Sequence, residues 1–307
     1  MTKTGTDLHG TGTFIDTRFG QIYYETEGEG PPVFLVSGGP GTGHAHYHPW
    51  FSALADRHQL VYFDNLGAGR SVRMDDPTDY NLANYAEVIE ALRKALGFEK
   101  ISLIGLSFGS LPALAYAVTF RQHIAALVIS NGHFSAQTWQ QGNIDNMNYE
   151  VRQLFPEIWA EIMALRDQGV LSSDMRIQAL YGRALGELFW VDPWDHPGLF
   201  RPEGAEEADN FDVYRAFVGD DPEWEVTGTL KGFNPTAQLA DFDVPTLIVS
   251  GRYDRITPPS IAVQIKEALP VAPVTLEIFE RSAHRPWVEE ADLYFECVSA
   301  FLEDIDG

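Results

Sequence analysis

Apolar residues along this chain fall into two rhythms. Short, nearly unbroken apolar runs occur at 32–37 (Pro-Val-Phe-Leu-Val-Ser), 60–64 (Leu-Val-Tyr-Phe-Asp), 101–105, 126–130, 244–251 and 274–279. Runs of this length, rich in β-branched residues and closed by glycine or polar turns, predict strands covered on both faces. Between them apolar residues recur at helical spacing: over 49–57 (Phe51, Leu54, Ala55), 82–97 (Leu82, Tyr85, Val88, Ile89, Leu92, Leu96, with Gly97 as terminator), 109–119, 259–268 and 287–303. Residues 13–28 carry aromatic and β-branched residues on two arms and predict a hairpin turning near Gly20. Strands alternating with helices predict a largely parallel sheet with helices on both faces.

That alternation stops at about residue 133. From there to about 236 no β-rich run appears, helical patterns dominate, and five of the seven tryptophans occur (139, 159, 190, 194 and 224). The segments before and after the break each lack the strands to close a sheet domain. The expected organisation is therefore one α/β core, residues 1–132 and 237–307, carrying a helical cap over 133–236. Residues 202–210 predict a solvated loop within it.

Charge narrows the partners. Among 307 residues, 44 are acidic and 21 basic, for a net charge of −23. Such a surface repels phosphate backbones and anionic membranes, and it favours neutral or cationic small molecules or short peptides. The single cysteine, Cys297, excludes an intrachain disulfide and sits at an apolar position of the last helical run, as an inert core residue would. The N-terminus lacks the apolar core of a signal peptide and no run is long enough to cross a bilayer, so a cytoplasmic protein is expected.

The chemistry lies where strands end. Gly105-Leu-Ser-Phe-Gly109 matches G-x-S-x-G between an apolar strand and an alanine-rich helix. That context makes it a nucleophile elbow, with Ser107 as nucleophile at a helix N-terminus whose N–H groups face a developing oxyanion. The acid and base follow in the order Asp, His. Asp254 comes immediately after the strand ending near 250, and His284 after the last strand; Asp241 and Asp243 precede their strand and fall at the wrong end of the sheet. The oxyanion hole needs a second donor from Ser37-Gly-Gly-Pro-Gly41. Pro40 has no N–H, so Gly39 is the expected donor beside Phe108. The fold this implies is the α/β-hydrolase fold. Asp64-Asn-Leu-Gly-Ala-Gly-Arg-Ser71 has too few glycines for a dinucleotide loop, and no cofactor is expected. His44, His46 and His48 alternate without a helical pair or companion cysteine, so no metal is expected either. Phe189, Trp190 and Trp194, in the cap, are the candidates for apolar contact with substrate.

The G-G-P-G of 38–41, the D-x-x-G-x-G-x-S of 64–71, the elbow and the inserted cap together resemble the proline iminopeptidase family over nearly the whole chain. The likeness is closest to the tricorn-interacting aminopeptidases, especially over 223–231 and 244–258. The resemblance implies release of an N-terminal residue from short peptides or aminoacyl amides, although some relatives are amidases or esterases. It also implies that Glu223 binds the substrate's α-ammonium group. Two positions depart from the family: Ser37 replaces the usual histidine, and Arg255 stands where a second amine-binding glutamate is expected. A carboxylesterase, lactonase or amidase acting on a bulkier substrate, such as a macrolide-type ester, therefore competes with the aminopeptidase. A non-catalytic ligand-binding relative is the third reading. Arg255 is expected either to oppose the amine or to pair with Glu223.

Overall fold

In the computed structural model, which describes residues 12–196 and 209–306, the apolar runs assemble into one eight-stranded sheet. Its strands are β1 (Thr13–Thr17), β2 (Gly20–Glu27), β3 (Pro32–Val36), β4 (Gln59–Phe63), β5 (Ile101–Leu106), β6 (Ile124–Ser130), β7 (Thr246–Gly251) and β8 (Val274–Phe279). They lie in the order β1-β2-β4-β3-β5-β6-β7-β8. The β1–β2 and β2–β4 pairs are antiparallel and every other pair is parallel.

Strand alternation divides the core. Phe34, Val36, Leu103, Leu127, Ile129 and Ile248 face one apolar layer, built with α1 (Leu82–Ala95), α2 (Ser110–Thr119) and, further along the chain, a helix at Pro259–Glu267. Val33, Leu35, Ile104, Leu106, Val128 and Val249 face the other, which includes Phe51, Leu54, Tyr294, Val298 and Leu302. Strands covered twice in this way must be apolar at nearly every position, which is why they stand out in the sequence. The 14-residue α1 starts at Asn81, whose side chain accepts the N–H of Asn84, and stops before Gly97 at φ +77°.

Between β6 and β7 the described residues hold helices and no strand: α3 (Ala136–Trp139), a π-helical stretch over Gln140–Asn146, α4 (Met147–Leu154), α5 (Pro156–Arg166), α6 (Met175–Leu188), α7 (Phe211–Val218) and α8 (Thr236–Leu239). Helices α4, α5 and α6 bury Met147, Val151, Ile162, Ile177, Tyr181 and Leu188 in a third apolar cluster, which meets the β7 end of the sheet through Ile256.

Two expectations change, and a third lies mostly outside the described residues. The segment 49–57 forms a short 3-10 helix over Trp50–Leu54 and then turns, so its apolar residues pack without an α-helix. The last helical run is two helices, α10 (Pro286–Glu289) and α11 (Ala291–Asp306), after α9 (Pro259–Glu267). The break falls at Glu290, whose carboxylate accepts the Arg281 N–H at 2.9 Å and the Ser282 hydroxyl at 2.7 Å. Most of the expected 202–210 loop lies outside the described residues. Asn210, however, caps α7, donates its N–H to the Gly41 carbonyl at 3.0 Å and its side-chain amide to Gly67 at 2.9 Å. Cys297 is half-buried against the second apolar layer, and burial pushes its thiol up to about 11.

Candidate active site

The elbow is built by close approach. Ser107 sits at φ +50°, a left-handed conformation that an L-residue holds only when its surroundings enforce it. A Cβ on Gly109 would lie 2.0 Å from the Val36 carbonyl, and one on Gly105 would lie 2.7 Å from that of Gly109. Only glycine lets β5, the turn and β3 come this near. The Ser110 hydroxyl, 2.6 Å from the Ser107 carbonyl and 2.7 Å from that of His133, receives the His133 N–H at 2.8 Å and ties the turn to the end of β6.

The loop after β3 lies directly against this turn. A Cβ on Gly38 would be 3.3 Å from that of Ser107. Gly39 is at φ +46°, and its carbonyl receives the Thr42 N–H at 3.0 Å. Phe108 is buried, its ring edge-on to Trp139 at 5.7 Å and to Phe217 at 4.9 Å. The expected oxyanion donors thus belong to two segments in van der Waals contact.

Asp254 and His284 are buried and paired, with His284 Nδ1–H donating to Asp254 Oδ2 at 2.8 Å. Four further donors surround the carboxylate. The Ile256 and Thr257 N–H groups reach Oδ1 at 2.8 Å each, while Asn131 Nδ2 and the Thr257 hydroxyl approach Oδ2 at 2.7 and 2.6 Å. Burial alone raises a carboxyl's pKa, but His284 and these donors overcome it and hold Asp254 below the usual range. The histidine is fixed from behind as well. Its N–H donates to the Phe189 carbonyl at 3.1 Å, and the Phe189 ring stacks on its imidazole at 5.2 Å. Glu289 accepts the N–H groups of Ala283 and Val191 at 2.7 and 2.9 Å, bracing the same loop.

Glu223 is buried among neutral donors. Oε1 accepts from Gln178 and Oε2 from the Tyr214 hydroxyl, each at 2.9 Å. Burial exceeds what these two bonds offset and pushes its pKa up to about 7. Arg255 does not pair with it. The guanidinium donates to the carbonyls of Trp190 at 2.8 Å and Val191 at 3.4 Å, and stands 3.7 Å from Glu150, so the expected Glu223–Arg255 pairing is corrected. The reason is the chain path: Arg255 follows β7 towards the end of α6, whereas Glu223 follows α7. The two sites communicate through one segment, where Asn146 donates to the Arg255 carbonyl at 2.6 Å and Asn148 to that of Glu223 at 2.7 Å. Trp190 is buried, and the Arg285 guanidinium lies 5.3 Å above its ring. Trp194 is set apart, 67% exposed with Phe155 edge-on at 5.1 Å.

Asn131, Thr257 and Glu289 escaped the sequence reading. Only Asn131 left a trace there, as a polar residue closing an apolar strand before glycine. The histidine loop divides: His44 and His48 approach Glu25, whereas His46 pairs its Nδ1–H with the Gly43 carbonyl at 2.8 Å.

A family profile described as alpha/beta hydrolase fold matches residues 31–291. A proline iminopeptidase of Heyndrickxia coagulans is 28% identical over 95% of this chain and 98% of its own length. Another, of Lactiplantibacillus plantarum, is 30% identical over 92% and 96%. The crystal structure of a Mycobacterium smegmatis proline iminopeptidase superposes with a TM-score of 0.76 at 23% identity, covering 96% of this chain and 99% of that one. A profile match over most of the chain, joined to a relative at this identity over nearly full length, makes this protein an enzyme of the alpha/beta hydrolase fold family, on its proline iminopeptidase branch.

Proposed function

We propose that the protein is a serine hydrolase working through an acyl-enzyme on Ser107, and that its substrates carry a free N-terminal amine. His284 takes the Ser107 proton as the oxygen attacks the substrate carbonyl, then returns it to the leaving amine. Asp254 fixes the imidazole tautomer and stabilises its charge. The N–H groups of Gly39 and Phe108 receive the oxyanion. The helical segment 133–236 roofs the pocket, with Phe189 and Trp190 as its apolar lining.

Glu223 carries the substrate reading. A carboxylate buried beside neutral donors, with no cation bonded to it among the described residues, is poised for a cation supplied by the ligand. A substrate ammonium would exchange its hydration for a charge-assisted bond there. Arg255 does not oppose this, since its own charge faces Glu150 and two carbonyls. The likeness to named proline iminopeptidases supports the same substrate class.

The test is a pair of aminoacyl-naphthylamides, one with a free amine and one N-acetylated. The free amine should be cleaved and the acetylated compound should not. Equal cleavage of both would remove amine recognition and favour the second reading, a carboxylesterase or amidase for neutral substrates. What favours that second reading is Arg255, standing where the family resemblance implies an amine-binding glutamate.

A further inference from the structure

We propose that Glu25, His44 and His48 form a binding site for one divalent first-row transition-metal ion, zinc foremost, behind the loop that follows β3.

The geometry is that of a donor set waiting to close. Glu25 stands near the end of β2, while His44 opens and His48 follows a 3-10 turn over His44–Tyr47. His44 Nε2 lies 3.3 Å from Glu25 Oε1, and His48 Nε2 lies 3.6 Å from Glu25 Oε2. One donor atom from each of the three residues falls within 4.8 Å of the others. Around a tetrahedral ion with bonds of about 2.0–2.1 Å, neighbouring donor atoms stand roughly 3.4 Å apart. The two carboxylate–imidazole edges already match that spacing. Glu25 would supply one oxygen and the two histidines one nitrogen each, three of four donors, with the fourth position left to a solvent molecule or other ligand.

A second observation points to a ligand. His48 Nε2 is buried, in a residue 8% exposed, and no hydrogen-bond partner reaches it among the described residues. At 3.6 Å the Glu25 oxygen is too far for a hydrogen bond. A buried ring nitrogen that makes no hydrogen bond costs free energy that a metal ion would recover.

The surrounding residues orient the donors. His44 Nδ1 is held by Asp64 at 2.8 Å, the carboxylate–histidine arrangement that fixes a ring so its other nitrogen can bind metal. The Tyr23 hydroxyl donates to Glu25 Oε1 at 2.6 Å and receives Arg70 Nη1 at 2.6 Å. The His48 ring lies on Tyr62, centroids 4.3 Å apart. Two imidazoles and one carboxylate suit zinc and its neighbours in the first row; magnesium and calcium prefer all-oxygen shells. The bound ion would tie β2 to the loop carrying Gly39. Spacing along the chain hid this site because its third residue comes from a different strand.

The full-length protein, stripped with chelator and dialysed, is titrated with cobalt(II) by visible spectroscopy and with zinc(II) by calorimetry. One equivalent should bind with micromolar or tighter affinity, raising the melting temperature. His48→Phe keeps the packing on Tyr62 but removes the nitrogen, and should weaken binding by about 100-fold or more; His48→Gln serves the same comparison if that variant fails to fold. His46→Ala should bind as the parent does. Absence of a cobalt band and of zinc heat overturns the site. So does binding that survives loss of the His48 imidazole, or that is lost with His46.

Discussion

Two buried histidines in this molecule meet a carboxylate in the same way, and differ in what stands at the other nitrogen. His284 and His44 each engage an aspartate through Nδ1 at 2.8 Å, Asp254 and Asp64 respectively. Beyond His44 lies a second carboxylate, Glu25, 3.3 Å from Nε2. Burial works against charge on His44, but the two carboxylates outweigh it and raise its pKa to about 9, while Glu25 is driven well below the usual range. Asp254 and Asp64 each accept two backbone N–H groups, but Asp254 alone of the two also accepts side-chain donors other than its histidine, Asn131 Nδ2 and the Thr257 hydroxyl. A histidine–aspartate pair is therefore not in itself catalytic. Beside His44 a second anion holds positive charge in place, whereas beside His284 the single aspartate shares its charge with other donors.

Substitutions at Ser107 and His284 probe the proposed catalytic side most severely. Ser107→Ala and His284→Ala should each lower turnover of an aminoacyl-naphthylamide by about 10⁴-fold or more, with melting temperatures near the parent's. A Ser107→Ala enzyme retaining even a tenth of the activity would end the acyl-enzyme reading. Asp254→Asn should cost about 10³- to 10⁴-fold in kcat, through loss of tautomer and orientation.

Asp64→Asn is its counterpart, and there the loss should appear in urea denaturation as about 2–4 kcal/mol of stability, with kcat changing by less than about tenfold. If the two aspartate variants behave alike, the contrast between the pairs is wrong. Glu223→Gln should cost about 1.5–3 kcal/mol in kcat/KM for a free-amine substrate and little for an N-acylated one. Because burial raises Glu223 to about 7, its binding form is the ionised one present above that pH. The kcat/KM profile of the free-amine substrate should then carry an additional acid limb near pH 7, which Glu223→Gln abolishes. Trp194→Ala, at an exposed edge, should alter stability by less than about 0.5 kcal/mol and leave relative substrate preference unchanged.

The sheet, the strained turn at Ser107 and the Asp254–His284 pair were legible because strands buried on both faces advertise themselves and because the elbow's glycines answer to a local backbone need. What stayed hidden depends on distant chain segments. Asn131 and Asp254 meet across 123 residues, and nothing near Asn131 in sequence says that its amide will face a carboxylate. Glu290 looked like one more residue of a helix, yet its carboxylate is required by the Arg281–Ser282 turn, and the helix breaks to supply it. Trp50–Leu54 carries helical spacing that the chain satisfies with a single tight turn. Arg255 appeared to confront Glu223 because the family resemblance implies an amine-binding residue at each position, whereas its guanidinium turns to the carbonyls at the end of α6.

Phe189, at the end of α6, gives His284 both a carbonyl for its N–H and a ring for its imidazole to rest on. Any outward swing of α6 removes both at once. The position of the His284 imidazole is therefore tied to the helical segment as well as to the sheet, and a substitution that displaces α6 would disturb it without touching Asp254.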